Sequence, residues 1–176
     1  MIDPALVVGI LAAVVAISGY TITNAMNRIE RRSRIYADAI LALVQFQNLP
    51  FRIRRRSDSS DATRTIVGQR IRDVQEALSY HVVLLRLDSP RVGTVFSELV
   101  KKTREVGVRY RHEAWVSPPA TSDADMSLVI SYDYHNEAEL EECIVLMQRE
   151  LSIIRALSPR ARWFRARPRG RIWSPS

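Results

Sequence analysis

The run "PALVVGILAAVVAISGYTITNAMN", residues 4–27, carries no charged side chain across 24 positions. As an α-helix it would extend about 36 Å, against a bilayer hydrocarbon core of about 30 Å. Its apolar residues fall on every side of such a helix, most densely from Ala5 to Ile22. Asp3 suits the N-cap position and Pro4 the first helical one. A cleaved signal peptide would need a basic leader, whereas "MID" is acidic, and no lipobox cysteine follows. A core helix of a soluble domain seldom stays uncharged for so long. Residues 1–27 are therefore expected to form an uncleaved transmembrane anchor.

The flanks set its direction. Arg28, Arg31, Arg32 and Arg34 crowd the C-terminal side, opposed only by Glu30, and no basic side chain precedes the span. The positive-inside rule then puts the short N-terminus outside and the rest of the chain in the cytosol. A single cysteine, Cys143, excludes an intrachain disulfide and agrees with a reducing compartment. The expected location is a plasma membrane, crossed once.

Downstream of the span the hydrophobic period remains helical, so the expected fold class is all-α. The anchor should continue into a cytosolic antiparallel bundle of about four helices, residues 28–157. Ile29, Tyr36, Ile40 and Leu43, widened by Ala37, Leu41 and Val44, carry the first helix to about Asn48. "LPFRIRRRSDSSD", residues 49–61, reads as a break, with "FRIRRR" a solvated loop or, more sharply, a dock for an acidic partner. A second helix should start after Ser60 and Asp61. Its coiled-coil-like seam is Val67, Ile71, Val74, Leu78, His81 and Leu85. "DSPR" turns the chain, with Ser89 as cap and Pro90 as first residue of a third helix buried along Val92, Phe96, Leu99, Thr103, Val106 and Tyr110. "VSPPATSD", 116–123, is a loop. "ADMSLVISYDYH", 124–135, is ambiguous between helix and strand and is read as helix, because an isolated strand would lack a partner. Asn136 and Glu139 suggest a capping box. The last helix should bury Leu140, Cys143 or Ile144, Met147, Leu151, Ile154 and Leu157.

Catalytic chemistry finds little material. His112-Glu113 lacks the second histidine of HExxH, no serine sits in GxSxG, and isolated glycines cannot build a phosphate cradle. The acidic group Asp133, Glu137, Glu139, Glu141 and Glu142 falls mostly in the first turns of a helix, where the dipole favours carboxylates. His81 is expected as a hydrogen-bonded core or interface side chain. No catalytic residue, cofactor or metal is expected, and the protein is read as non-enzymatic.

The net charge of +7 is that of 26 basic side chains, 24 of them arginine and two lysine, less 19 acidic ones. It is concentrated in the tail 158–176, which is expected to be disordered. Arg160, Arg162, Arg165, Arg167, Arg169 and Arg171 would each gain about 1 kcal/mol near an anionic leaflet. Trp163, Phe164 and Trp173 suit the headgroup interface. Nucleic acid would satisfy the same side chains and is the less favoured ligand. Gly9, Ala12, Ala16 and Gly19 share one face of the anchor, a pattern compatible with homo-oligomers.

The anchor, "RRSRIYADAI" (31–40) and "VVLLRLDSPRVGTVF" (82–96) together resemble a broad group of uncharacterised bacterial and prophage single-span membrane proteins with a cytosolic helical body. The resemblance implies architecture and source but no activity. The function expected is a membrane-tethered scaffold, sensor or accessory subunit for a cytosolic protein partner. The alternative is a bilayer-active, phage-type effector or lipid sensor.

Overall fold

The computed structural model describes residues 4–120 and 132–152. Among them are five α-helices and no strand: α1 Pro4–Gln47, α2 Leu49–Arg54, α3 Asp61–Asp88, α4 Pro90–Val116 and α5 Glu137–Glu150. The chain divides into two compact units, residues 32–149 and residues 1–31 with 150–176.

Within the smaller unit, the first part of α1 is long and apolar enough to cross a membrane. Val8, Leu11, Val14, Val15 and Ile17 stand exposed along it, which a soluble core helix would not permit. Gly9 and Gly19 face open space.

The larger unit is a helical bundle. On α1, Tyr36 and Leu43 are buried as their spacing predicts, but Ala37, Leu41 and Val44 face outward. The buried face widens the other way, through Ala39, Ala42 and Phe46. Two alanines there let neighbouring elements approach where larger residues would not fit. Asp88, at the end of α3, accepts from Arg32 Nε and from the Tyr36 hydroxyl, each at 3.1 Å. Phe46 instead lies against Gly107 on α4, where an added Cβ would come within 2.9 Å of the ring. This part of α1 therefore runs antiparallel to α3 and parallel to α4.

The helices α3 and α4 form a tight hairpin. Arg86 donates to Ser97 Oγ, and two turns further from the bend Arg104 donates to Ser79 Oγ. Gly93 permits the close approach: a Cβ there would sit 2.5 Å from the Cα of Arg86. Ser60 caps α3, its hydroxyl accepting from Thr63 N–H at 3.3 Å. Ser89 precedes Pro90 as expected, yet its buried hydroxyl makes no capping bond. Leu78, Leu85, Val92, Phe96 and Leu99 are fully buried between the elements.

Three readings need correction. The segment after Asn48 does not simply break; Leu49–Arg54 forms a further helical turn, because Pro50 is compatible with a first turn and Leu49 and Ile53 gain burial there. Tyr132–Asn136, the described end of the ambiguous segment, is irregular rather than helical. His135 takes a left-handed φ of 48°, and its N–H bonds to Asp133 Oδ1 at 2.8 Å, a local turn that competes with helix. Finally, α5 ends at Glu150 and Leu151 is only half-buried, so the burial expected of it is incomplete. Ile154, Leu157 and residues 124–131 lie outside the described residues.

The irregular segment is held by its rings. Tyr132 packs against Phe51 of α2 and Tyr110 of α4, with centroids 4.7 and 5.1 Å apart. The Tyr134 hydroxyl donates to the Gln47 carbonyl at 3.1 Å, and burial pushes its pKa up to about 12. Asn136, before α5, spends its side chain across the bundle: Nδ2 donates to buried Thr103 Oγ1 at 2.7 Å, and Oδ1 accepts from Gln47 Nε2 at 3.3 Å. It joins α1, α4 and the start of α5.

Candidate binding surfaces

The basic run 51–56 divides in the structure into core and surface. Phe51 and Ile53 turn inward, Arg52 and Arg55 outward, and Arg56 is buried. Arg56 does not act as a solvated loop residue. Its Nη1 donates to the carbonyls of Ile53 and Ala114, both at 3.0 Å. Nη2 donates to the carbonyls of Ser117, at 2.6 Å, and Trp115, at 3.3 Å. The last carbonyls of a helix have no partner within it, and one planar, five-donor guanidinium reaches several at once. The Trp115 ring lies 5.4 Å away as a further cation–π neighbour. Burial, then the like charges of Arg64 and Arg54, lower the Arg56 pKa, but a guanidinium stays charged.

This clamp fixes α2 against the end of α4 and leaves a groove of about 430 Å³ between α2 and the first turns of α3. Leu49, Ile53, Val67 and Ile71 form its apolar floor, with Ile66 beside them 68% exposed. Arg52, Arg55 and Arg70 stand around it, and no acidic side chain among the described residues lines it. Such a surface can take an apolar ridge flanked by carboxylates.

A second cleft, of about 560 Å³, opens where Phe46 meets the α3–α4 hairpin. Arg72, Arg104 and Arg111 line it, with Glu76 as the single acid among the described residues. The Arg111 guanidinium lies 4.9 Å from the Phe46 centroid, and burial lowers its pKa, opposed by the Tyr134 phenol and helped to a lesser extent by the Arg104 charge.

No protein family matches the chain, and neither a curated protein nor a solved structure is detectably similar. The binding surfaces must therefore be read from their own chemistry.

Other candidates resolve plainly. Among the described residues, no group of three His, Cys, Asp or Glu could hold a metal ion. Glu139 pairs with Lys102, and Asp133 holds the His135 turn, so these acids have structural partners. Cys143 is buried, and desolvation with the Glu142 charge raises its thiol to about 11, away from nucleophilic use. His81 is half-buried, and its Nδ1 has no hydrogen-bond partner among the described residues. Arg160, Arg162, Trp163, Phe164, Arg165, Arg167, Arg169, Arg171 and Trp173 all lie outside the described residues.

Sequence reasoning missed Arg56 and the second cleft. For the cleft a signal existed: Arg104, Val108 and Arg111 recur at four and three residues, a basic stripe beside the apolar seam of α4. For Arg56 nothing local distinguishes it from the three other arginines of its run, Arg52, Arg54 and Arg55.

Proposed function

We propose that this chain is a membrane-tethered, non-enzymatic interaction protein whose bundle docks an acidic protein partner in the cytosol. The observation that carries the reading is the groove between α2 and α3, with its apolar floor, its four arginines and, among the described residues, no acid. An unpaired apolar surface of this kind gains from burial, and its charged rim selects partners by complementarity. The arginines that follow the apolar span support a cytosolic body through the positive-inside rule. Arginines and tryptophans of the tail suit the anionic leaflet beside which such an anchor would hold it. The same tail favours the alternative of a bilayer-active effector, which would need no cytosolic partner.

Photocrosslinking from position 66 in intact membranes tests the choice. With a photoreactive residue in place of Ile66, the full-length chain should yield one dominant adduct with an acidic protein. Arg52→Glu, Arg55→Glu and Arg70→Glu together should abolish that adduct, whereas Arg91→Glu, exposed on α4, should preserve it. Adducts confined to lipid or to a second copy would replace this reading with the bilayer-active one.

A further inference from the structure

The cleft between Phe46 and the α3–α4 hairpin has chemistry that differs from the apolar groove. Three guanidiniums meet there with one carboxylate, Glu76. None of the three forms an ion pair with an acidic residue among the described residues; their bonds go to neutral groups. Arg72 donates to Gln69 Oε1 and Arg104 to Ser79 Oγ, the latter at 2.8 Å. Arg111 is spread over the Phe46 ring, and its Nη1 is shut from water without an acceptor. Gly107 makes this placement feasible, since a Cβ there would press on both Phe46 and Arg111 Nη1. Burial lowers the Arg111 pKa, and the Arg104 charge adds a smaller effect in the same direction. A fold that gathers like charges around an open cleft stores a field that only an anion relieves.

We propose that this cleft, formed by Phe46, Arg72, Arg104, Val108 and Arg111, is a binding site for a phosphomonoester. The local excess is two positive charges, three arginines less Glu76, and a phosphomonoester near neutral pH carries about −1.5 to −2. Guanidinium forks match phosphate oxygens in pairs, which a single carboxylate would use only in part. The cleft is also larger than a bare phosphate requires, and its volume falls within the range of about 300–1,000 Å³ common for small-molecule sites. Val108, exposed at the cleft, supplies the apolar contact for the esterified group. Two sources offer this chemistry: a soluble phosphorylated molecule, or the headgroup of a phosphatidic-acid-like lipid.

Calorimetric titration of phenyl phosphate into the full chain, held in phosphatidylcholine nanodiscs at constant ionic strength, tests the site. Saturable one-to-one binding is expected, with benzoate binding at least tenfold more weakly. Arg72→Gln combined with Arg104→Gln, both on solvent-accessible parts of the cleft, should weaken phenyl phosphate at least tenfold. Arg111→Lys, which keeps the charge but loses the fork, should also weaken it. Circular dichroism of each variant confirms the helical bundle is intact. Doping the discs with phosphatidic acid separates the sources. Competition with phenyl phosphate in the wild type identifies a lipid headgroup, and undiminished binding identifies a soluble ligand. The double variant retains the tail and the groove, so a result confined to the cleft is distinguishable from either. Absence of saturable binding at millimolar phenyl phosphate, equal affinity in the double variant, or equal binding of benzoate would overturn the proposal.

Discussion

Leu99→Ala should lower the unfolding free energy by about 2–5 kcal/mol, the range for emptying a packed leucine site. Leu99 has no exposed surface and sits on α4 between Phe96 and Thr103, which are equally buried. Phe96 is as fully buried as Leu99, and Thr103 is held by its bonds to the Leu99 carbonyl and to Asn136. Neighbours so placed cannot collapse freely into the space, which puts the cost of the substitution within that range rather than below it. Denaturation of the full chain in mild detergent, followed by far-ultraviolet circular dichroism, provides the measurement. Leu87→Ala, on the same hairpin but with the leucine 79% exposed, should change stability by no more than about 0.5 kcal/mol. If both variants melt like the wild type, α4 is not the centre of the bundle.

Arg56→Met should cost about 1–3 kcal/mol or more, because it strands carbonyl acceptors at the end of α4 while keeping much of the side-chain volume. Ala114, whose carbonyl accepts from Arg56, is fully buried, so water cannot readily replace the guanidinium there. Arg56→Lys should rescue little, since a point ammonium cannot span the carbonyls of Ala114, Trp115 and Ser117 together. The consequence extends to function. Arg56 lines the groove and holds α2 in place, so either variant should also diminish the crosslink from position 66. Unchanged stability in the same denaturation assay, with an unchanged crosslink, would show that Arg56 neither caps α4 nor shapes the groove.

Much of the helical frame was legible because it rests on period and punctuation. Seams such as Val74–Leu78–Leu85 and Val92–Phe96–Leu99 repeat at helical spacing, and Ser60 and Pro90 mark starts that local chemistry enforces. What was not legible depends on tertiary placement. Ala39 and Ala42 are buried instead of Leu41 and Val44 because close approach, not hydrophobicity alone, decides which face of α1 turns in. Gly93 and Gly107 look like isolated helix-weakening residues until the backbone of Arg86 and the ring of Phe46 are seen against them. Asn136 stands where a cap was expected, but its side chain crosses the bundle, a choice no local window encodes. The clefts combine arginines from different elements, and only the hairpin register brings Arg72 to the same opening as Arg104 and Arg111.

We propose that the apolar span tethers the bundle on the cytosolic side of a membrane. Paired reporter fusions after Ser176, one active only in the cytosol and one only outside, measure this most directly in living cells. The cytosolic reporter should be active and membrane-bound, and the external one silent. Activity of the external reporter, or release of an active cytosolic fusion into the soluble fraction, would contradict the tether, its orientation, or both.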